Sequence, residues 1–323
     1  MAAAAIRRSL LVFLDGVGIG ADDAARNPFL TASMPTFDRL LGGRPRAGMP
    51  ELGSGDGAAA WVGLDACLGV DGLPQSGTGQ AALLTGTNAP RAFGRHFGPW
   101  TPVALRPAVA ASNLLSLARA DGRAVAFANA YPEELVAAAD ARRPPAPLRA
   151  ATVIAARGAG ALVRATPELA RGNAVASEIT NGGWREHLGR TEVPEIDPAA
   201  AGENLAAIAG AHDLTLFAHY ATDTAGHTGD ADRANAALER VDAFLDGLAR
   251  ASPADMRIVF ASDHGNIEEL SAGHTRHPAL GLVLGAGAAS FAGGLRSILD
   301  VAPAMLAELG VGLPRPGKAG STV

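Results

Sequence analysis

Five short segments of the chain carry side chains able to hold metal ions or to attack an electrophile. Asp15 closes an apolar run, Asp223 and His227 stand four residues apart, Asp263 and His264 are adjacent, His274 follows shortly, and Ser76 lies in a Gly-rich stretch. An i, i+4 pair shares one face of a helical turn, so Asp223 and His227 can meet at one cation. Adjacent residues share neither a helix face nor a strand face, yet a tight turn can aim Asp263 and His264 at one centre, and Gly265 supplies the freedom for it. These three carboxylates and three imidazoles exceed the needs of one tetrahedral zinc and suit two divalent ions. Any one pair alone is read as well by a surface carboxylate or a satisfied core histidine; the joint placement points to metal.

Ser76 belongs to Leu73-Pro74-Gln75-Ser76-Gly77-Thr78-Gly79-Gln80, after a Pro-initiated turn and before a helical pattern. Backbone N–H groups and the positive end of a helix there make an anion site with a hydroxyl inside it. A plain N-cap serine is the competing reading. Beside a metal, the hydroxyl becomes a nucleophile near neutral pH, and Thr78 is its rival.

These residues need a frame to bring them together. Short β-rich runs at 10–14, 123–128, 214–219, 257–261 and 280–284 alternate with 3.6-period patterns at 34–41, 111–120, 199–209, 231–251 and 300–309. That alternation predicts an α/β fold with a mostly parallel central sheet and helices on both faces. Asp15, Asp223 and Asp263 then follow strands, at the carboxyl edge where such sheets bind ligands. From 132 to 198 the pattern turns irregular, with a Pro-rich break at Arg142-Arg143-Pro144-Pro145-Ala146-Pro147 and Gly punctuation at Asn181-Gly182-Gly183. This reads as a small inserted cap on a core formed by 1–131 and 199–323. The tail 313–323 is Pro/Gly/Ser-rich and reads as frayed.

Composition narrows the class. Hydrophobic residues make up 48% of the 323 and charged residues 18%, with 40 Gly and 21 Pro, which excludes collagen, coiled-coil and disordered chains. A net charge of -5 provides no broad basic field for nucleic acid or an anionic membrane. Lys318 is the only lysine, so an anionic substrate must be held locally and by Arg. Cys67 is the single cysteine, which rules out an intramolecular disulfide. Arg7-Arg8 before 9–14 imitates a signal peptide, but Asp15 ends the run too soon; a cytoplasmic protein is expected, and a cleaved native N-terminus would overturn that.

The motifs Asp15-Gly16-Val17-Gly18-Ile19-Gly20, Ser76-Gly77-Thr78-Gly79-Gln80, Asp223-Thr224-Ala225-Gly226-His227-Thr228-Gly229, Asp263-His264-Gly265-Asn266-Ile267-Glu268 and His274-Thr275-Arg276-His277-Pro278 resemble the alkaline phosphatase superfamily of metalloenzymes. They are most similar to its branch of cofactor-independent phosphoglycerate mutase and phosphopentomutase, as are Asn27-Pro28 and Met34-Pro35-Thr36-Phe37-Asp38-Arg39-Leu40. The resemblance implies an alkaline phosphatase-like fold. It also implies one metal on Asp223, His227 and His274, a second on Asp15, Asp263 and His264, and Ser76 bridging toward both as the phosphorylated nucleophile. Manganese is usual in those mutases and zinc in the phosphatases. The expected activity is two-metal phosphoryl transfer, as a phosphomutase or phosphatase, on a small phosphorylated metabolite through a phosphoserine. The chain departs from the mutases in having Gln80 where they carry His, and in its short, lysine-free insert.

Substrate contacts must come from other residues. Arg91, Arg95 and His96 follow the nucleophile segment, where an Arg fork can hold a phosphate. Asn129, Tyr131, Asn181, Trp184 and Arg185 border or belong to the cap and could line a pocket. Glu268 reads either as a support of a metal ligand or as a plain helix-start acid, His277 either as such a support or as structural, and His187, His212 and His219 as structural. Two other functions were weighed. Gly16-Val17-Gly18-Ile19-Gly20-Ala21 after a strand, with Asp38 downstream, fits a dinucleotide fingerprint, but 22–28 is a poor helix opening and the downstream Asp/His set goes unused. A catalytically silent metal protein that binds a phosphorylated ligand keeps the ligand set but has no need of the nucleophile. A sulfatase motif is absent around Ser76 and Cys67.

Overall fold

The computed structural model describes residues 5–49, 57–139, 141 and 143–312. Arg142 of the Pro-rich break and the tail 313–323 with Lys318 lie outside the described residues. Six strands form one sheet: β1 (Arg8–Leu14), β2 (Ala59–Leu64), β3 (Val125–Phe127), β4 (Leu214–His219), β5 (Met256–Ser262) and β6 (Ala279–Leu284), in the order β2-β6-β5-β1-β4-β3. β5, β1, β4 and β3 are mutually parallel, and β6 runs antiparallel to both β5 and β2.

β1 reads as an unbroken apolar run because both of its faces are covered. Leu11 and Phe13 point into one core, packed with the helices Ser76–Thr85, Leu114–Ala120, Ala151–Gly158 and Val301–Glu308. Leu10, Val12 and Leu14 point into the other, packed with Pro35–Leu41, Pro198–Gly210 and Ala231–Ala251. The α/β expectation with helices on both faces therefore holds. The longest helix, Ala231–Ala251, is capped by Asp230, which accepts from the amides of Asp232 and Arg233. It buries Ala234, Leu238, Val241, Leu245 and Leu248 at helical spacing. Gly247 is there because a Cβ would sit 1.9 Å from the Ala199 carbonyl oxygen, so the two long helices of this layer touch backbone to backbone.

Two features escape the sequence pattern. β2 was not expected, and the helix expected at 111–120 is two, Arg106–Ala111 and Leu114–Ala120, separated by an Asn113 cap that accepts from Leu115 and Ser116 amides. The segment 132–198 is itself divided. Its helix Ala151–Gly158 is part of the main core, whereas Leu169, Ala174, Ala176, Trp184 and Val193 close over Ala130 as a small separate core. No helix among the described residues is long and apolar enough to cross a membrane.

Candidate metal centre

Register brings the ligand segments to one edge. Leu14 at the end of β1 pairs with Ser262 on one side and His219 on the other, so the residues leaving β1, β5 and β4 emerge side by side. Asp15 follows β1 and Asp263-His264 follow β5. After β4 the chain forms one short helix, Ala221–Gly226, which carries Asp223 and ends at His227. His274 precedes its strand rather than following it, yet reaches the same edge because β6 is antiparallel.

Two triads result, each able to bring one ligand atom per residue within 4.8 Å of the others: Asp15, Asp263 and His264, and Asp223, His227 and His274. In the first, His264 Nε2 is 3.3 Å from Asp15 Oδ1 and 3.7 Å from Asp263 Oδ2. In the second, Asp223 lies 3.3 Å from His227 Nε2 and 3.6 Å from His274 Nε2. The triads adjoin, since the His264 and His274 rings stack with centroids 4.0 Å apart.

The donor set fits divalent cations. Asp15 Oδ1 and Asp263 Oδ2 are buried without a hydrogen-bond partner, a costly state for carboxylates that a cation relieves. Burial, then repulsion from Asp15, pushes the Asp263 carboxyl well above the usual carboxylate range, and burial raises Asp15 as well, against the pull of His264. Burial alone would lower His264, but Asp263 and Asp15 outweigh it and push the imidazole up to about 10. Asp223 goes the other way: burial works against it, but His274, His264 and Asn266 hold it down to about 2. In the second triad, His227 Nε2 and His274 Nε2 face each other at 3.1 Å, as two lone pairs aimed at a shared ion would.

Ser76 is the first residue of the helix Ser76–Thr85, and its Oγ lies 3.0 Å from His264 Nε2. Thr78 is committed elsewhere: its Oγ1 accepts from the Phe97 amide at 3.1 Å. Gln80, one turn on, donates to Asp15 Oδ2 at 3.2 Å. Close packing explains two motif glycines. A Cβ on Gly79 would meet the Asp263 carbonyl oxygen at 2.9 Å, and one on Gly16, whose φ is +67°, would meet Asp223 Oδ1 at 2.4 Å. Gly16, Gly18 and Gly20 thus pack against Asp223 and Glu268, leaving no berth for a pyrophosphate.

A second ring of residues holds the ligands. Glu268 accepts from the amides of Gly18 and Asn266, from Thr275 Oγ1 and from His277 Nδ1, tying the loops after β1 and β5 to the His274 loop. Sequence reasoning offered such a part for Glu268 and His277 as one of two readings but passed over Asn266, which donates to Asp223 Oδ1 at 2.6 Å, and the Pro74 carbonyl, which accepts from His274 Nδ1 at 2.9 Å. Asn266 stands within a quoted motif, and its position beside the ligand turn is the signal that could have marked it.

The expected substrate contacts fare differently. Ser76 borders a cavity of about 330 Å³ with Asp15, Gln80, Pro99, Trp100, Tyr131, Pro147, Ala150, Ser177, Tyr220, Asp223 and Thr224. Arg91, Arg95 and His96 do not line it. Arg95 packs over the Phe93 and Phe97 rings beside a neighbouring cavity, and His96 is buried with Nε2 bonded to the Cys67 and Val70 carbonyls. Arg91 lies on the short helix Ala89–Phe93, and the residues after Gly94 are held by the Phe93 and Phe97 rings and the Cys67 and Val70 carbonyls. Of the residues bordering the cap, only Tyr131 reaches the cavity. Asn129 bonds both backbone groups of Ala218, Asn181 donates to the Pro194 carbonyl, Trp184 is core, and Arg185 is bonded to the Thr191 and Val193 carbonyls. His212 Nδ1 and His219 Nδ1 bond the carbonyls of Ile208 and Ser177.

Residues 189–312, which hold five of the six triad residues, match the family model of the metalloenzyme superfamily. A 2,3-bisphosphoglycerate-independent phosphoglycerate mutase from Serratia proteamaculans is 35% identical over 133 residues, covering 38% of this chain and 26% of that protein. The fold also matches the PH0037 protein from Pyrococcus horikoshii (TM-score 0.58, 13% identity, 96% of this chain and 98% of that one). It likewise matches the alkaline phosphatase of the Antarctic bacterium TAB5 (TM-score 0.54, 11% identity, 96% and 100%). The chain thus has the alkaline phosphatase fold, and its residues 189–312 carry the likeness to the metalloenzyme superfamily. The sequence likeness runs to phosphoglycerate mutase, and the aligned part spans only about a quarter of the mutase's length.

Proposed function

We propose that the chain is a metal-dependent phosphoryl-transfer enzyme in which Ser76 takes up the phosphoryl group of a small phosphate ester and passes it to water. The observation that carries this reading is the Ser76 hydroxyl 3.0 Å from His264 Nε2, where the two triads meet. Asp15, Asp263 and His264 would hold one divalent ion, Asp223, His227 and His274 the other; manganese and zinc both suit such N/O donors. Bound there, such ions neutralise charge on the transferring phosphoryl oxygens and favour the ionised hydroxyl. Ser76 Oγ bonds to phosphorus as the ester P–O bond breaks, and the departing alcohol oxygen keeps the electron pair and gains a proton. A water oxygen then bonds to phosphorus, the Oγ–P bond breaks, and Ser76 recovers its proton. Gln80, at the position where the mutases carry His, holds Asp15 in place.

Hydrolysis is favoured over return to a second hydroxyl because the His227 side chain is 51% exposed. It lies beside a more open cavity that also reaches Ser76, through Gln75, Gly98, Pro99 and His274. The segment 132–198 acts as a partial cap, supplying Pro147, Ala150 and Ser177 to one side only. Phosphate esters incubated with manganese or zinc, read for both free phosphate and isomer, test this: free phosphate is expected, falling on the order of 10³-fold in Ser76→Ala. Isomer without phosphate would make the enzyme a mutase, and turnover surviving in Ser76→Ala would remove the serine from the chemistry.

A further inference from the structure

The cavity on the closed side of Ser76 has a wall unlike that of a site for a doubly acidic metabolite. Its volume of about 330 Å³ falls at the small end of the roughly 300–1,000 Å³ typical of ligand pockets. Trp100, Tyr131, Tyr220, Pro99, Pro147 and Ala150 form most of its surface. Tyr131 and Tyr220 are buried, and burial raises both phenols, so they stay neutral. Tyr220 shares a hydrogen bond of 2.5 Å with Thr152, which anchors its ring. The ionisable groups on the wall other than these phenols are Asp15 and Asp223, both assigned to the metal triads.

Among the described residues, no Arg, Lys or His lines this cavity. The guanidinium nearest in sequence to Ala150 is that of Arg149, and its Nε is turned to the Pro144 carbonyl. A substrate carboxylate placed here would lose its water and meet no cation, which costs far more than burying an apolar group of the same size. A flat or apolar group would instead stack on the aromatic rings and prolines, with the hydroxyl oxygens of Ser177 and Thr224 at the wall to accept from an occasional hydroxyl.

We infer, from a wall of aromatic rings and prolines with no cation on it, that the alcohol portion of the substrate is uncharged and largely apolar, an aryl or similarly compact group, and that phosphoglycerate-like acids are poor substrates. This rests on the phosphoryl-transfer reading of the same site. It restricts which ester the enzyme accepts rather than how the phosphorus is attacked.

The test uses 1-naphthyl phosphate and 3-phosphoglycerate in two measurements on the manganese-loaded full chain. Turnover by the unaltered protein should show kcat/KM at least tenfold higher for 1-naphthyl phosphate. Equilibrium dialysis with Ser76→Ala should show the same preference in Kd. Thr224→Arg places a cation on the wall at an exposed position and should narrow the ratio about tenfold. Trp100→Ala should narrow it from the other side by weakening the aryl ester. Equal or faster turnover of 3-phosphoglycerate overturns the inference and leaves phosphoryl transfer standing. Tight, selective binding of 1-naphthyl phosphate with no turnover of either ester supports the pocket chemistry and removes the phosphoryl-transfer reading. A ratio unmoved by both substitutions shows that this cavity does not choose the substrate.

Discussion

Asp15, Asp263 and His264 are buried on loops leaving two adjacent parallel strands, whereas Asp223, His227 and His274 sit on one helical turn and a rim loop, with the His227 side chain 51% exposed. The first triad owes its geometry to sheet register, which a one-residue slip would destroy together with the core. The second owes its geometry to hydrogen bonds from Asn266 and to Pro74. The buried triad is built at the expense of two crowded carboxylates; in the rim triad the Asp223 carboxylate is held by its neighbours without a cation, and His227 lies open to solvent. A phosphoryl-transfer site needs both qualities, a fixed charge to orient the nucleophile and an accessible face for the acceptor.

The largest expected consequence is a difference in how the two triads tolerate loss of a ligand. With manganese or zinc supplied, Asp263→Ala should lower turnover on the order of 10³-fold with no recovery at higher metal concentration, because its carboxylate sits inside the cluster. His227→Ala should lower it on the order of 10 to 100-fold and recover as metal is raised, since solvent can fill the vacated position. Rate measurements across a metal titration check this. Equal losses, both beyond rescue, would mean the exposed triad is as rigid as the buried one.

A smaller effect separates two imidazoles of equal burial. His219 at the end of β4 and His264 just past β5 are both wholly buried, yet burial drives His219 down to about 4, with Arg240 adding to it against the Ser177 carbonyl. His264, among carboxylates, is driven up to about 10. His219 is therefore neutral, donating from Nδ1 to Ser177 while Nε2 has no partner. Above the unfolded pKa of about 6.5 neither state binds a proton there, so His219 contributes no pH dependence. Between pH 6.5 and 4 the unfolded chain takes up a proton that the folded chain refuses, and stability falls by about 3 kcal/mol. Denaturant titrations over that window should show a shallower slope for His219→Asn, which keeps the donor and removes the titration. An unchanged slope would show that His219 is protonated in the fold.

Much of this was legible in the sequence, for reasons that also mark where legibility ends. β1 and β4 announce themselves as apolar runs bounded by acidic or polar residues, and Ala231–Ala251 by a strict helical period, because their burial is decided along the segment itself. The six donors were legible because each motif is local, whereas their division into two triads came only from the resemblance to the alkaline phosphatase superfamily. β2 was not: Ala59–Leu64 is short, rich in small residues, and becomes a strand only through its antiparallel pairing with β6. The substrate wall was harder still, since Trp100, Tyr131, Pro147 and Tyr220 come from four separate segments and converge only in the fold. Arg91, Arg95 and His96 drew attention for their charge, but Arg95 is held by the Phe93 and Phe97 rings and His96 by the distant Cys67 and Val70 carbonyls, which spacing alone does not reveal.

The sharpest test of the contrast between triads is also the smallest in magnitude, because it concerns the metal-free protein. In Asp263→Asn one of two buried carboxylates becomes neutral at nearly the same size, leaving His264 and Asp15 as a matched pair. Chelator-treated Asp263→Asn should therefore be more stable than the unaltered protein, by roughly 2 kcal/mol, because folding no longer has to protonate a carboxyl held well above its usual range. Asp223→Asn removes a carboxylate that its neighbours favour, accepting from Asn266 and facing His274 and His264. It should be less stable by roughly 2 kcal/mol, the worth of a carboxyl held down to about 2. Thermal or denaturant unfolding in chelator reads both. Opposite signs would establish that one triad waits for its cation under strain while the other is satisfied without one, and the same sign in both would erase that distinction.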